Sequence, residues 1–231
     1  MPHELNLQQV DVAFSSGELL EAGKRVTFQV HELGRLFITS GAIAAADPFV
    51  LPNTTPYLQA VPNGRHPVCV AVARFDSGDE RVAFARARFT DSTATGWKMA
   101  LAAGQDAASL GPDHYFGYGV DSGTGCFMDP VAGRLLSQLM DADSSYYDAV
   151  DEEMQKTYRP TWSWLDWRPS KGAEENIICF SSGWGDGSYA SFFGFDADGR
   201  VSALVTDFAV LYGEEAAPRS KVPWWRFWKQ S

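Results

Sequence analysis

The stretch that decides the fold is residues 67–89, which read PVCVAVARFDSGDERVAFARARF. Two apolar runs, Pro67–Phe75 and Arg81–Phe89, flank the polar sequence Asp-Ser-Gly-Asp-Glu, whose turn chemistry is typical of a β-hairpin. Successive side chains of a strand point to opposite faces, so one face of the second run consists of three alanines and a phenylalanine. We expect this alanine face to lie close against another layer of the protein.

Further strands are predicted on both sides of this hairpin. GRLFIT at residues 34–39 predicts a strand, whereas the proline-rich stretch from Asp47 to Pro67 predicts an irregular connection. Three more strands are predicted in the last third of the chain, at residues 176–181, 188–196 and 200–211. The last two are joined by Asp-Ala-Asp-Gly-Arg, which predicts a tight hairpin turn because its glycine can adopt a positive φ.

Helices are predicted between these two groups of strands. Asp129 and Pro130 supply an N-cap and a first helical residue, and apolar residues then recur at helical spacing as far as Met140. A second helix is predicted to begin at Ser144 or Ser145, with an aspartate three residues after Ser145 closing a capping box. Strands, then helices, then strands predict an α+β protein with a mostly antiparallel β-sheet core and two or three helices.

We expect a single domain over residues 1–218 and an aromatic C-terminal tail over residues 219–231. The tail contains PWWRFWK, in which Trp224 and Trp225 either contact a membrane surface or pack on protein. The segment is too short to span a bilayer. Packing on the body of the protein or on a partner is the favoured interpretation, because bulky aromatic side chains more often serve as anchors on protein.

Composition excludes several classes of protein. The 231 residues include 19 Lys+Arg and 29 Asp+Glu, a formal charge of −10, and 45% are hydrophobic. This excludes a disordered chain or a coiled coil and argues against binding to nucleic acid, which needs clustered cations. No apolar run reaches the roughly 18–20 residues of a transmembrane segment, and the N-terminus does not resemble a signal peptide. The three cysteines, Cys69, Cys126 and Cys179, lack CxxC spacing, so we expect free thiols in the cytoplasm.

Two glycine-rich acidic segments hold the main candidate residues. Residues 117–129 read GYGVDSGTGCFMD, and residues 181–189 read SSGWGDGSY; neither contains the lysine of a phosphate-binding loop. Asp121, Asp129 and Asp186 could converge as ligands for Ca²⁺ or Mg²⁺. The favoured interpretation is local: Asp129 caps a helix, and the other two accept hydrogen bonds from their own turns. We therefore expect no cofactor and no metal. We also expect the two segments to flank one mostly antiparallel sheet, with the helix over Val131–Met140 packed on that sheet.

A nucleophile and an aromatic cluster complete the candidate residues. Cys126 can be combined with His114 and Asp121 as nucleophile, base and orienting acid, although no catalytic signature surrounds Cys126. Trp162 and Trp164 point the same way if TWSWLDW is a strand, and would form either a stacking platform for a ligand or an aromatic wall of the core. Trp184 and Asp186, in the second glycine-rich segment, are also candidate binding residues.

An ordered series of motifs resembles a known family. It comprises SGAIAAADP at residues 40–48, VPNG at 61–64, YGVDSG at 118–123, Asp129, GDGSY at 185–189, and the dipeptide Asp207-Phe208. This series resembles a bacterial family of domains of unknown function, numbered 4241, over roughly residues 30–212. The resemblance implies a small single-domain cytoplasmic protein and transfers no catalytic residue.

Two functions from different classes follow from these observations. The first, which the sequence favours, is a non-enzymatic binding protein: an immunity-type inhibitor whose acidic surface neutralises a basic bacterial toxin. The alternative is a metal-dependent hydrolase built on Asp121, Asp129 and Asp186, with His114 or Cys126 assisting. The first is favoured because no recognisable nucleophile–base pair is present in the sequence.

Overall fold

The computed structural model describes residues 2–21, 23–50, 55–168, 172–212 and 219–221. Its helices are α1 (Leu7–Phe14), α2 (Pro130–Ala142) and α3 (Ser145–Gln155), with a 3₁₀ turn at Ala107–Ser109. Its strands are β1 (Glu18–Glu21), β2 (Lys24–Ile38), β3 (Ala44–Ala46), β4 (Gly64–Phe75), β5 (Glu80–Arg88), β6 (Gly96–Met99), β7 (His114–Tyr115), β8 (Gly117–Val120), β9 (Thr124–Met128), β10 (Trp164–Trp167), β11 (Ile177–Ser181), β12 (Gly187–Phe195), β13 (Val201–Asp207) and β14 (Arg219–Ser220).

Most strands belong to two antiparallel sheets. The first has the order β1-β2-β4-β5-β13-β12-β6, with β8 also paired to β12; the second has the order β10-β11-β9-β3. Every pairing within these two sheets is antiparallel, and the short pair β7–β14 is parallel. The predicted α+β single domain with a mostly antiparallel core is therefore confirmed.

The hairpin predicted at residues 67–89 lies in the middle of the first sheet. β4 and β5 pair in antiparallel register, and the alanines of β5 are completely buried. Phe84, on the other face of β5, contacts Phe14 of α1, while the strand also approaches β11 of the second sheet. The alanine side chains are thus covered by other residues, whereas their expected close approach to another layer stays a prediction.

The second sheet separates two hydrophobic clusters. Alternate residues of β9 and β11, such as Phe127 and Phe180, pack in the cluster formed with the first sheet. Their neighbours, such as Met128 and Cys179, pack in a second cluster with Leu136 of α2 and with α3. This period-2 alternation gives a layered arrangement of large sheet, small sheet and helices.

Three local predictions need correction. β2 extends over fifteen residues rather than the six predicted, because its N-terminal half pairs with both β1 and β4. α2 packs on the second sheet and not, as expected, on the one sheet flanked by the glycine-rich segments. The capping box of α3 is absent: Ser144 is in a helical conformation without a side-chain cap, and the Asp143 carboxylate accepts the Ser145 N–H at 2.9 Å instead.

The chain passes between the two sheets at three turns that matter for the site. Residues 39–43 connect β2 to β3, residues 121–123 connect β8 to β9, and residues 182–186 connect β11 to β12. The last two turns are the centres of the two glycine-rich segments. Among the described residues, no helix is both long and apolar enough to cross a membrane.

Candidate functional site

The two glycine-rich segments meet at one place on the surface. β8 and β12 pair with Val120 opposite Gly187, so the turns that follow β8 and precede β12 lie side by side. The Ser182 N–H donates to the Gly123 carbonyl at 3.0 Å, and a Cβ added to Gly123 would lie 3.7 Å from the Gly185 Cα. We call this place, formed by residues 121–123 and 182–186, the crossover surface.

A buried carboxylate, that of Asp47, stabilises the crossover surface through hydrogen bonds to one of its turns. Asp47, 2% exposed, accepts hydrogen bonds from the N–H groups of Asp121 and Ser122 at 2.8 Å each and from the Ser122 hydroxyl at 2.8 Å. It also accepts the N–H of Phe49 at 2.9 Å. Asp47 was not a predicted site residue, because it lies more than seventy positions from Asp121 along the chain. Its only sequence signal is its place in the SGAIAAADP motif of the family resemblance.

Two exposed carboxylates, Asp121 and Asp186, lie on the crossover surface. Partial burial of its carboxyl group raises the pKa of Asp186, and the negative charges of Asp121 and Asp47 raise the pKa further, against a hydrogen bond from the Gly123 N–H. Part of this shift shows that Asp121 and Asp47 lie close enough to Asp186 for their like charges to disfavour its ionisation. Two of the three predicted aspartates are thus brought together.

Trp184 projects from the same surface. It is 55% exposed, its ring stacks on Phe75 with 5.9 Å between ring centroids, and the Arg81 guanidinium lies 4.9 Å from its ring centroid. Its neighbour Gly183 has a φ of +58°, and a Cβ there would lie 2.8 Å from the Phe208 Cβ. The backbone at Gly183 therefore packs closely against the core, and this holds Trp184, two residues from Asp186, in a fixed position.

The turn that carries Trp184 is closed by its own hydrogen bonds. The Ser182 carbonyl accepts the Gly185 N–H at 2.9 Å, and the Ser182 hydroxyl donates to the Gly185 carbonyl at 3.0 Å. The Tyr189 hydroxyl donates to the carbonyls of Ser182 and Gly185 at 3.0 and 2.7 Å. Such a saturated turn holds its shape before any partner arrives.

The third predicted aspartate, Asp129, lies elsewhere. It follows the far end of β9, about 20 Å from Gly123 at about 3.4 Å per strand residue. Its buried carboxylate accepts the Val131 N–H at 2.7 Å, which caps α2 as predicted, and the N–H and hydroxyl groups of Thr39 and Ser40 at 2.7–3.3 Å. Burial alone would raise the pKa of Asp129, but these hydrogen bonds lower it below its ordinary value.

The predicted nucleophile set is not assembled in the structure. Cys126 is fully buried opposite Cys179, and burial raises the pKa of its thiol well above the ordinary value. His114 lies in β7, where its Nδ1 is 2.8 Å from the Pro112 carbonyl oxygen. Among the hydrogen bonds of the described residues, none joins Cys126, His114 and Asp121. The Cys126 thiol is therefore closed off from water, and no hydrogen bond among the described residues joins it to a base.

The paired tryptophans form an aromatic wall. Trp162 is 1% exposed, stacks on Trp164 with 5.3 Å between centroids, and donates its Nε1–H to the Glu80 carboxylate at 3.1 Å. Trp164 is half-buried and has the Arg159 guanidinium 5.7 Å from its ring centroid. The face of Trp162 is therefore occupied by other side chains and is closed to a ligand.

Trp224 and Trp225 of the tail lie outside the described residues, so their packing on protein stays a prediction. The preceding residues are docked on the body of the protein. β14 pairs with β7, and the Lys221 Nζ donates to the Ser109 hydroxyl at 2.7 Å and to its carbonyl at 3.1 Å. Within the described ranges, no three His, Cys, Asp or Glu side chains are grouped so as to hold a metal ion.

Comparison with known proteins places the fold in a family. The sequence pattern of a family described as "Protein of unknown function (DUF4241)" matches residues 36–206. This range includes all of the crossover surface, Asp47 and Asp129. No curated protein and no solved structure matches the chain.

Proposed function

Since the chain belongs to this family of unknown function, we propose its function from the crossover surface: it is a non-enzymatic binding protein that engages a basic protein partner there. The observation that carries the proposal is Trp184, a large aromatic group that is 55% exposed and fixed beside two carboxylates. Tryptophan is the residue type most enriched among side chains that dominate binding energy at protein interfaces.

Preorganisation supports this assignment. Trp184 stacks on Phe75 and is anchored at Gly183, so it loses little conformational freedom when a partner covers it. Arg81, which lies over the ring, is paired with Asp79 at 3.0 Å, so its charge is offset locally. A fixed aromatic anchor whose neighbouring cation is already paired matches the centre of a protein interface.

Charge indicates the class of partner. The chain carries a formal charge of −10, and the exposed carboxylates of Asp121 and Asp186 lie on the same surface as Trp184. Complementary fields speed the association of oppositely charged proteins and disfavour acidic partners. We propose that the partner is a basic bacterial toxin that meets this chain in the cytoplasm, which makes the chain an immunity-type inhibitor.

The test is co-expression with the protein encoded next to this gene. The wild-type chain is expected to restore growth and form a stable complex, and Trp184→Ala to weaken that complex by about thirtyfold or more, as truncation of a dominant interface tryptophan does. The matched control is Tyr158→Ala, which removes an aromatic ring of nearly equal exposure, 54%, and should leave the complex intact. Equal affinity of the Trp184→Ala variant and the control would exclude the crossover surface as the interface.

The hydrolase alternative rests on the approach of Asp121 to Asp186. Asp47, the next carboxylate, already accepts four hydrogen bonds, and Asp129 lies at the other end of β9. Isothermal titration of the wild type with Ca²⁺, Mg²⁺ and Mn²⁺ separates the two functions. Tight metal binding that disappears in a stably folded Asp186→Asn variant would favour the hydrolase and overturn the proposal.

A further inference from the structure

A cavity of about 450 Å³ opens at the end of the first sheet that is remote from Trp184. It is lined by the end of β2, the start of β4 and the end of β5, whereas Trp184 contacts Phe75 at the other end of β4. Three arginines, Arg35, Arg65 and Arg88, line this cavity together with the polar residues Asn63 and Thr90 and one acidic residue, Asp91. Its volume is in the range of small-molecule sites, about 300–1,000 Å³.

The strand register brings the three arginines to one face of the sheet. Arg35 lies opposite Pro67, and Arg65 lies opposite Phe37 two residues further along. Val68 pairs with Ala87, which places Arg88 beside Pro67 on its other side. Directly opposed residues share a face, so Pro67 is a short apolar floor between two long cationic side chains.

The positive charge in the cavity is only partly neutralised. Arg65 pairs with Glu174 at 3.2 Å and Arg88 with Asp91 at 3.6 Å, but both acidic side chains are mostly exposed, at 69% and 98%. Among the described residues, no carboxylate lies within ion-pair distance of Arg35. Three arginines thus line one cavity of a chain whose net charge is −10.

Two of the arginines are held in place by neutral groups. The Arg35 Nη2 donates to the Arg65 carbonyl at 2.9 Å, and the Arg65 guanidinium lies 4.6 Å from the Phe37 ring centroid. These contacts fix the side chains without neutralising them. Fixed guanidinium groups present paired N–H donors that match the oxygens of a phosphate or carboxylate.

His66 alternates with Arg65 and Pro67 along β4, so its ring points to the other face of the sheet, where it packs in the core. His66 is 7% exposed, its Nε2 lies 2.7 Å from the Pro62 carbonyl oxygen, and its ring meets Phe89 edge-to-face at 5.2 Å. Burial lowers the pKa of His66; the hydrogen bond to Pro62 opposes this shift, and the charge of Arg35 adds to it. The histidine therefore packs as a neutral ring at pH 7, and the arginines supply the cavity's positive charge.

We propose that this cavity is an anion-binding site for a small molecule that carries a phosphate or carboxylate group, recognised by Arg35, Arg65 and Arg88. The site is separate from the crossover surface and does not depend on the function proposed for it. The bound anion neutralises the positive charge of the three arginines, and the remaining volume of the cavity accommodates the rest of the ligand.

The test is isothermal titration of the full chain with inorganic phosphate and, separately, with citrate, which distinguishes the two anion chemistries. We expect one of these probes to bind with a Kd of about 1 mM or lower. Arg88→Gln should weaken that binding by about tenfold or more, because a charge-assisted contact is lost. Asp91→Asn should tighten it by about threefold, because the competing carboxylate is removed.

Arg25→Gln is the matched control. It makes the same change of net charge as Arg88→Gln. Arg25 lies on β2, about 30 Å from Arg35 at about 3.3 Å per residue, so the variant should bind the probe as the wild type does. Equal weakening in the Arg25→Gln and Arg88→Gln variants, or no binding of either probe at about 10 mM, would overturn the proposal. If Arg88→Gln does not fold, the comparison of Asp91→Asn with the wild type decides, since Asp91 is almost fully exposed.

Discussion

At the scale of single residues, Asp207 makes the stability of the fold depend on pH. It is 4% exposed, and its carboxylate accepts only the Ala209 N–H at 2.8 Å and the Tyr212 hydroxyl at 3.2 Å among the described residues. Burial raises the pKa of Asp207 from 3.8 to about 6, although these hydrogen bonds oppose the shift. The folded state therefore holds this proton more tightly than the unfolded state does.

The sign of the effect follows from this difference. Between about pH 4 and pH 6 the unfolded chain has released the proton and the folded chain keeps it, so the contribution of Asp207 to the free energy of unfolding falls as the pH rises, by up to about 3 kcal/mol. Asp207→Asn stays neutral, and its stability relative to the wild type should rise by that amount between pH 4 and pH 7. Urea unfolding at each pH measures it, with Asp91→Asn as the control for net charge; parallel curves for Asp207→Asn and the wild type would contradict the prediction.

At the scale of elements, one aspartate joins a helix to a turn between the sheets. Asp129 caps α2 and at the same time holds Thr39 and Ser40, where the chain leaves β2 for β3. Asp129→Ala should lower the free energy of unfolding by about 3 kcal/mol at pH 7, because a cap is lost and the N–H groups of Thr39 and Ser40 lose their charged acceptor. Urea denaturation of the variant and the wild type measures the difference.

The neighbouring helix provides the control for this prediction. Asp143→Ala removes the aspartate at the start of α3, which accepts one hydrogen bond, from the Ser145 N–H, and is exposed. We expect a clearly smaller loss of stability than for Asp129→Ala. A loss of similar size in both variants would mean that Asp129 is only a helix cap and that its contacts with residues 39–40 contribute nothing.

At the scale of the whole molecule, the end of the chain is expected to stabilise the body. Deletion of residues 219–231 removes β14 and the contacts of Lys221 with Ser109, and should lower the melting temperature. Deletion of residues 222–231 keeps those contacts and isolates the effect of the tryptophan-rich part. An unchanged melting temperature after the longer deletion, together with lost binding to anionic vesicles, would instead indicate that the tail contacts a membrane.

Some parts of the whole fold could be predicted from the sequence and others could not. The β4–β5 hairpin and the start of α2 were predictable because each depends on residues that are neighbours in the chain. The crossover surface was not, because Val120 meets Gly187 only when β8 and β12, two strands far apart in the sequence, pair in the first sheet. Glycine and aspartate in the two segments marked the place, but no periodicity specifies which distant turn lies beside it.

Asp47 shows the same limit for the site. Its hydrogen bonds to residues 121 and 122 join parts of the chain that are far apart in sequence, and an aspartate after a short alanine strand carries no local signal of such a role. Trp184 was a candidate from the sequence, but its exposure depends on Phe75 and Arg81, which lie on another hairpin. Residue types were therefore predictable, whereas their surroundings were not.

The strand order of the first sheet also sets the sequence of events during synthesis. β5 ends at Arg88, but its partner β13 begins at Val201, after the whole second sheet and both of its helices. At translation rates of about 5–20 residues per second, the β4–β5 hairpin waits on the order of 10 s with one edge open. Open edges recruit other chains unless charges interrupt them. Arg86 and Arg88 stand on that edge, so the nascent chain carries its own protection against aggregation until the last strands leave the ribosome.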